Sequence, residues 1–303
     1  MFTIETERLS PRYSGIDLWG ASDALDAMIE AQFTAVAAVR SARAAIEQAV
    51  AAMEARLEER GRLIYAGAGT SGRLAAQDGA ELMPTFSWPQ DRLLLLIAGG
   101  PEALIQAVEG AEDEVEHAIA LVRQYGIEAS DVVIAVAASG STPFTLACLR
   151  GAKRKGALTI GIANNSGTPL LAEAEYPIFL DTGPEPIAGS TRMKAATAQR
   201  TTLNLLSSLL MIRLGRVYEG LMINMQATNT KLTERSETML AHLTGRDNTE
   251  VQRALSRSNG NIKLAMLLLK GCSLEDAKRA LDRTQGRLRA ALALLGELDQ
   301  ISN

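Results

Sequence analysis

Two short stretches carry residues whose types and spacing could do chemistry. Residues 65–73 read YAGAGTSGR, in which Gly67, Gly69 and Gly72 satisfy the pattern G-x-G-x-x-G, and residues 137–144 read AASGSTPF. A glycine turn ahead of a helix offers free backbone N–H groups and the positive end of the helix dipole, and together these favour an anion. The first pattern is also that of loops holding a dinucleotide pyrophosphate. Those loops need in addition an acidic residue about 20 positions on, at the end of the second strand, to bind a ribose hydroxyl. Here the second apolar run ends in IAGGPE, where Glu102 lies well past that spacing, and Asp91 precedes the strand and belongs at the wrong end of a sheet. The fingerprint is incomplete. The nucleoside triphosphate loop fails as well, because its Lys-Ser/Thr ending is replaced by Gly72-Arg73. What remains is Thr70 and Ser71 just before a predicted helix, and Ser139, Gly140, Ser141 and Thr142 before another whose first turn suits Pro143. Hydroxyls and backbone N–H groups can surround one phosphate without a lysine. Ser and Thr most commonly just cap helices; two such loops, both beside glycines, point instead to a shared phosphate.

These loops must be held by something regular. The runs RLIYAG, RLLLLIAGG, DVVIAVAASG, ALTIGIANN and YPIFLDTG alternate with helical stretches. Alternation of this kind predicts an α/β fold with a parallel sheet covered on both faces and sites at the carboxyl ends of its strands. Both hydroxyl-rich loops follow strands, as do ANNSGTP and DTGPEPIAGSTRMK. Ahead of the sheet, residues 22–60 are Ala-rich with apolar spacings of three and four, which predicts one long helix or two that could cover the sheet or a partner subunit. Behind it, residues 254–269 and 280–295 align without gaps, with Gly260 and Gly286 at matching positions. Two copies of a helix-turn-helix unit predict a small helical appendage, since a solenoid needs about three repeats or more. The expected division is residues 1–244 for the α/β domain with its helical arm and residues 245–303 for the appendage.

Bulk properties exclude several classes. The chain has 303 residues, 47% hydrophobic and 22% charged, which excludes a disordered chain, and its net charge of −4 advertises no nucleic-acid partner. No apolar run approaches the roughly 18 residues of a membrane span, and the opening MFTIETERLSPRYSG lacks the form of a secretory signal, so the expected location is the cytoplasm. Cys148 and Cys272 form no C-x-x-C pair, and His117 and His242 have no ligand-like neighbours, so neither a disulfide framework nor a metal site is expected.

The stretches GAGTSGR, AASGSTP and GSTRMKAATAQ resemble the sugar-isomerase (SIS) phosphosugar-binding domain. With TERLSP, LIAGG, AVEGAED and ATNTKL in order, nearly the whole chain resembles more closely the N-acetylmuramic acid 6-phosphate etherase family. That resemblance implies a five-stranded parallel sheet sandwiched by helices, with a small C-terminal helical unit. It also implies a homodimer with the sugar near the subunit interface, no cofactor, and a phosphosugar as the small-molecule ligand. The implied reaction cleaves the D-lactyl ether of N-acetylmuramic acid 6-phosphate, giving N-acetylglucosamine 6-phosphate and D-lactate. A non-catalytic sugar-phosphate sensor, like the related glucokinase regulatory protein, and an aldose-ketose isomerase are the alternatives on the same domain.

The resemblance also assigns residues. Glu81 in DGAELMPTF matches the family's proton donor and Glu112 in VEGAEDEVE its C2 base. Read without the family, Glu81 is a surface residue near a helix end, and the acidic run 109–116 is a solvated helix face. Gly110 within that run costs a helix about 1 kcal/mol against Ala and suggests close approach to something. Thr70, Ser71, Ser139 and Thr142 match the phosphate site, with Gly69 and Gly140 giving backbone access; Asn229 and Lys231 match sugar-phosphate contacts in the regulatory relative, with a plain surface charge the alternative for Lys231. Ser190, Arg192 and Lys194 either bind the lactyl carboxylate or cap the long helix that follows. The chain departs from the family pattern at Leu82-Met83-Pro84, at Leu9-Ser10-Pro11, and at Ser141, where the family often has Arg.

Overall fold

The computed structural model describes residues 4–58, 60–225 and 230–301. The Ala-rich stretch forms two helices, α1 (Ala21–Ser41) and α2 (Arg43–Leu57), parted at Ala42. One face of α2 buries Ile46, Ala49, Val50, Met53 and Leu57, the spacing of a single helical stripe.

The five apolar runs become β1 (Leu63–Gly67), β2 (Leu93–Ile97), β3 (Val132–Val136), β4 (Leu158–Ala163) and β5 (Tyr176–Phe179). They form one parallel sheet in the order β2-β1-β3-β4-β5. Every residue of β1, β3 and β4 is buried, which is why these strands read as apolar runs rather than alternating ones, Thr159 of β4 being the polar exception. Between them run α3 (Gly69–Phe86), α4 (Val115–Gln124), α5 (Pro143–Arg154), α6 (Pro169–Glu173) and, after β5, α7 (Lys194–Arg213). On one face Ile64, Leu96 and Val133 pack with Val122 of α4 and with Phe144, Cys148 and Leu149 of α5. Burial pushes the Cys148 thiol up to about 12, so this cysteine is a packing group, not a nucleophile.

The strand order has a functional consequence. From β1 the chain moves out to β2, then crosses to the other side of β1 for β3. Loops leaving β1 and β3 therefore diverge, and a crevice opens at their carboxyl ends. The opposite end is tied by Arg62, whose side chain meets Asp131 at 2.6 Å and whose guanidinium also donates to the carbonyls of Tyr125 and Gly126.

The chain divides into two compact units, one of residues Met1–Ala80 and Pro89–Leu210, the other of Glu81–Trp88 and Met211–Asn303. This differs from a split at 244/245, and packing explains it. Ile223, Met225, Met239 and Leu240 belong to the same apolar cluster as the C-terminal helices. The second unit holds a short hairpin, β6 (Val217–Tyr218) with β7 (Leu221–Met222), and the helices α8 (Thr230–Thr244), α9 (Asn248–Arg257), α10 (Ile262–Leu269), α11 (Leu274–Arg283) and α12 (Leu288–Ile301). The repeat is structural. Ala254, Leu255, Ile262 and Ala265 are buried in one copy, as are their counterparts Ala280, Leu281, Leu288 and Ala291 in the other. Each copy turns through a left-handed pair, Asn259-Gly260 and Gln285-Gly286. The copies diverge at one matched position: Lys263 is buried with its ammonium donating to the Gly286 carbonyl, whereas Arg289 lies over the Tyr218 ring and pairs with Glu219 at 2.6 Å.

Candidate active site

The first loop is shaped by backbone proximity. Gly67 ends β1 and Gly72 sits in the first turn of α3, where a Cβ would lie 2.9 Å from the Gly67 carbonyl oxygen. Gly69 takes a left-handed φ of 53° to make the turn. The helix begins at Gly69, so Thr70 and Ser71 lie inside its first turn rather than ahead of it. The first N–H groups of a helix have no carbonyl of their own helix to bond. Arg73 points elsewhere: its guanidinium donates to the carbonyls of Ala103 at 2.8 Å and Gln106 at 3.2 Å.

The second loop leaves β3. Gly140, at φ 67°, is pressed against the Thr168 side chain, where any Cβ would collide. The hydroxyls of Ser139 and Thr142 lie 3.3 Å apart, and the Ser141 N–H donates to the Ser139 hydroxyl at 3.2 Å. Thr142 occupies the N-cap of α5 with Pro143 in the first turn, yet its side chain makes no capping bond. Capping therefore does not account for this threonine.

Both loops open on one cleft of about 370 Å³. Gly69, Thr70 and Ser71 line it from the first loop, and Ser139, Ser141 and Thr142 from the second. Glu112 and Asp113 border the same cleft, as do Thr6, Glu7 and Thr191. No lysine or arginine lines it among the described residues. The cleft thus combines hydroxyls and helix-end N–H groups with carboxylates, a set that can hold a phosphate at one end and meet hydrogen-bond donors or an acidic C–H at the other.

Glu112 does not sit on a continuous helical face. Gly110 takes a φ of 73°, a short 3-10 turn covers Ala111–Asp113, and α4 begins only at Val115. A Cβ on Gly110 would meet nothing within 4 Å. This corrects the expectation of a close approach: the glycine supplies a backbone conformation that swings Glu112 toward the loops, while Ala111 anchors the turn in the core.

The remaining expected residues are placed differently. Glu81 is exposed on α3 and is not among the residues lining the cleft. Lys194 is buried, with its ammonium donating to the Thr182 carbonyl at 2.7 Å, and burial lowers its pKa. The start of α7 is capped by Glu185, whose carboxylate accepts from the N–H groups of Lys194 and Ala195, both at 2.9 Å; burial raises its pKa. Ser190 and Arg192 do not line the cleft, but Thr191 between them does. Lys231 is exposed on α8 in the second unit, and Asn229 lies outside the described residues. Sequence reasoning passed over Thr6, Glu7, Asp113 and Thr191 as site residues. For the first two a signal existed, since TERLSP is one of the motifs carrying the family resemblance.

A parallel sheet in this order, with hydroxyl-lined loops at its β1/β3 crevice, defines an SIS-type domain. The glucokinase regulatory protein N-terminal SIS domain matches residues 45–153 and the SIS domain matches residues 105–209. A Bacteroides fragilis protein named as a phosphosugar isomerase involved in capsule formation shares this fold, with a TM-score of 0.50 and 18% identity, covering 66% of this chain and 95% of that one. The N-acetylmuramic acid 6-phosphate etherase of Deinococcus radiodurans is 49% identical over 265 residues, 88% of this chain and 87% of its own. That of Streptomyces coelicolor is 42% identical over 267 residues, 88% and 86% of the two chains. The chain belongs to the N-acetylmuramic acid 6-phosphate etherase family.

Among the described residues no helix is long and apolar enough to cross a membrane, and no cluster of three His, Cys, Asp or Glu is placed to hold a metal ion.

Proposed function

We propose that the protein cleaves the D-lactyl ether of N-acetylmuramic acid 6-phosphate, releasing D-lactate and leaving N-acetylglucosamine 6-phosphate, in the recycling of cell-wall amino sugars. The observation that carries this reading is that Glu112 opens on the same cleft as the two hydroxyl-rich loops. A phosphosugar held there by its phosphate presents its carbon skeleton to a carboxylate.

An alkyl ether resists direct hydrolysis, but in the open-chain sugar the C1 aldehyde acidifies the C2 proton. A base removes that proton, the electron pair forms the C2–C3 double bond, and the C3–O bond breaks with its pair leaving on the lactyl oxygen. An acid protonates that oxygen, after which water adds at C3 and C2 regains a proton. We assign the base to Glu112, on its place in the cleft. Glu81 is assigned the acid on its place in the family motif. Thr70, Ser71, Ser139 and Thr142 hold the phosphate, with Ser141 at the rim. The test is D-lactate release from N-acetylmuramic acid 6-phosphate by the purified protein in the presence of a chelator; absence of release overturns the reading.

A homodimer fits the surface of α1. Leu25, Ile29, Phe33 and Val36, spaced by four, four and three residues, form one stripe with exposures of 54, 46, 70 and 52%. A second copy of the chain is the occupant proposed. The cytoplasm is the proposed setting, consistent with the absence of a disulfide among the described residues.

A further inference from the structure

The N-terminal segment is built into the cleft by a chain of specific bonds. Thr6 is 1% exposed, and its N–H donates to the Asn165 side-chain oxygen at 3.2 Å. The Asn165 amide in turn donates to the Thr6 hydroxyl at 3.1 Å and to the Ala138 carbonyl at 2.8 Å. Gly189 closes the set by donating its N–H to the Thr6 carbonyl at 2.9 Å. Asn165 follows β4 and Ala138 follows β3, so the segment is stitched onto the carboxyl end of the sheet. The next residue, Glu7, lines the cleft.

The exposed Glu7 carboxylate lies against the bare face of Gly189. A Cβ on Gly189 would lie 2.6 Å from Glu7 Oε2, and Gly189 holds a φ of 77°. Any side chain at 189 would push the carboxylate aside. Of the basic residues that follow it in sequence, Arg8 pairs with Glu5 at 2.9 Å, and Arg12 pairs with Glu30. Among the described residues the Glu7 carboxylate has no hydrogen-bond or ion-pair partner. An exposed carboxylate without a partner, bordering a cleft that holds phosphate, repels phosphate and attracts donors. It therefore belongs at the sugar end of any bound phosphosugar, where hydroxyl and amide N–H groups need acceptors.

We propose that Glu7 is a specificity-determining residue that accepts hydrogen bonds from hydroxyl or amide N–H groups of the bound sugar, so that the cleft selects sugar phosphates over simpler phosphates. The proposal rests on the reading of the cleft as a phosphosugar site. Phosphate monoesters without a sugar ring offer few donors to Glu7 and feel its charge. Sugar phosphates recover that repulsion through hydrogen bonds to an ionised acceptor, which are stronger than neutral ones.

The experiment is calorimetric titration of the full chain with N-acetylglucosamine 6-phosphate and, separately, with inorganic phosphate, for wild type, Glu7→Gln and Gly189→Ala. Glu7→Gln is expected to weaken the sugar phosphate tenfold or more while leaving inorganic phosphate unchanged or two- to threefold tighter. Gly189→Ala, which displaces the carboxylate without removing it, is expected to show the same pattern at smaller size. Unchanged sugar-phosphate affinity in Glu7→Gln overturns the proposal. So does a parallel loss for both ligands, because a purely structural strap would lower both together. Failure of the wild-type protein to bind the sugar phosphate overturns the reading of the cleft itself, and this proposal with it.

Discussion

Gly67 and Gly72 meet backbone to backbone where β1 turns into α3: a Cβ built on Gly67 would lie 3.0 Å from both Cα and N of Gly72. The three-glycine pattern thus reports the turn and not the ligand. One glycine makes the turn and two allow strand and helix to touch, the same demands that a dinucleotide loop answers. Substitution should separate these demands. Gly72→Ala forces backbone apart and is expected to cost about 2 kcal/mol or more in chemical denaturation, with loss of phosphosugar binding. Gly69→Ala meets open space and only an unfavourable φ, so about 1 kcal/mol is expected. The reverse ranking would mean that the turn is not limited by this contact.

The two glutamates can be told apart by isotope exchange. With Glu112 as the C2 base, Glu112→Gln is expected to abolish exchange of the C2 proton with solvent deuterium and to cut D-lactate release by about a hundredfold or more. Glu81→Gln should spare that exchange and cripple lactate release, since the acid acts on the leaving oxygen. Because isomerisation needs no leaving-group acid, full isomerase turnover in Glu81→Gln would identify the aldose-ketose alternative. Retained C2 exchange in Glu112→Gln would move the base to another group, with Asp113 and Glu7 the other carboxylates on the cleft.

What could be read in the sequence follows from burial and periodicity. The strands were legible because β1, β3 and β4 are buried throughout and leave apolar runs broken only by Thr159, and the loops after them because glycine, serine and proline mark the turns. The repeat was legible to the residue, since both copies need the same left-handed turn. Side-chain convergence left no such trace. Glu7 reaches the cleft through the tether between Thr6 and Asn165, which no periodic pattern encodes. Between β5 and α7 the chain is irregular, so nothing in the spacing distinguishes Thr191, which lines the cleft, from Ser190 and Arg192, which do not. The acidic run looked helical because charge patterning ignores the sign of φ at Gly110.

The stripe on α1 predicts the oligomeric state. Phe33 is 70% exposed and belongs to no core, so Phe33→Glu should leave the fold intact while placing a charge at the centre of the stripe. Sedimentation is expected to find a wild-type dimer and a monomeric variant of unchanged helicity. A monomeric wild-type protein at assay concentration, or a variant dimer of unaltered affinity, would remove α1 from the interface.

Lys263 predicts a pH dependence in the second unit. Burial, with the nearby Arg216 charge adding to it, lowers its pKa from 10.5 to about 8. The folded state therefore releases this proton more readily than the unfolded chain. Between about pH 8 and 10.5 the unfolded chain binds more protons, so unfolding free energy rises with pH; below about 8 both states are charged and the contribution is lost. At about 1.4 kcal/mol per pH unit, the rise from about pH 8 to 9.5 amounts to about 2 kcal/mol. Lys263→Met keeps most of the side-chain volume and removes the titration, although it gives up the bond to the Gly286 carbonyl. Chemical denaturation of both proteins at pH 7.5 and 9.5 isolates the effect, because every other titrating group is common to the two. The wild-type protein is expected to gain on the variant as pH rises, and parallel profiles would show that the ammonium is hydrated rather than buried.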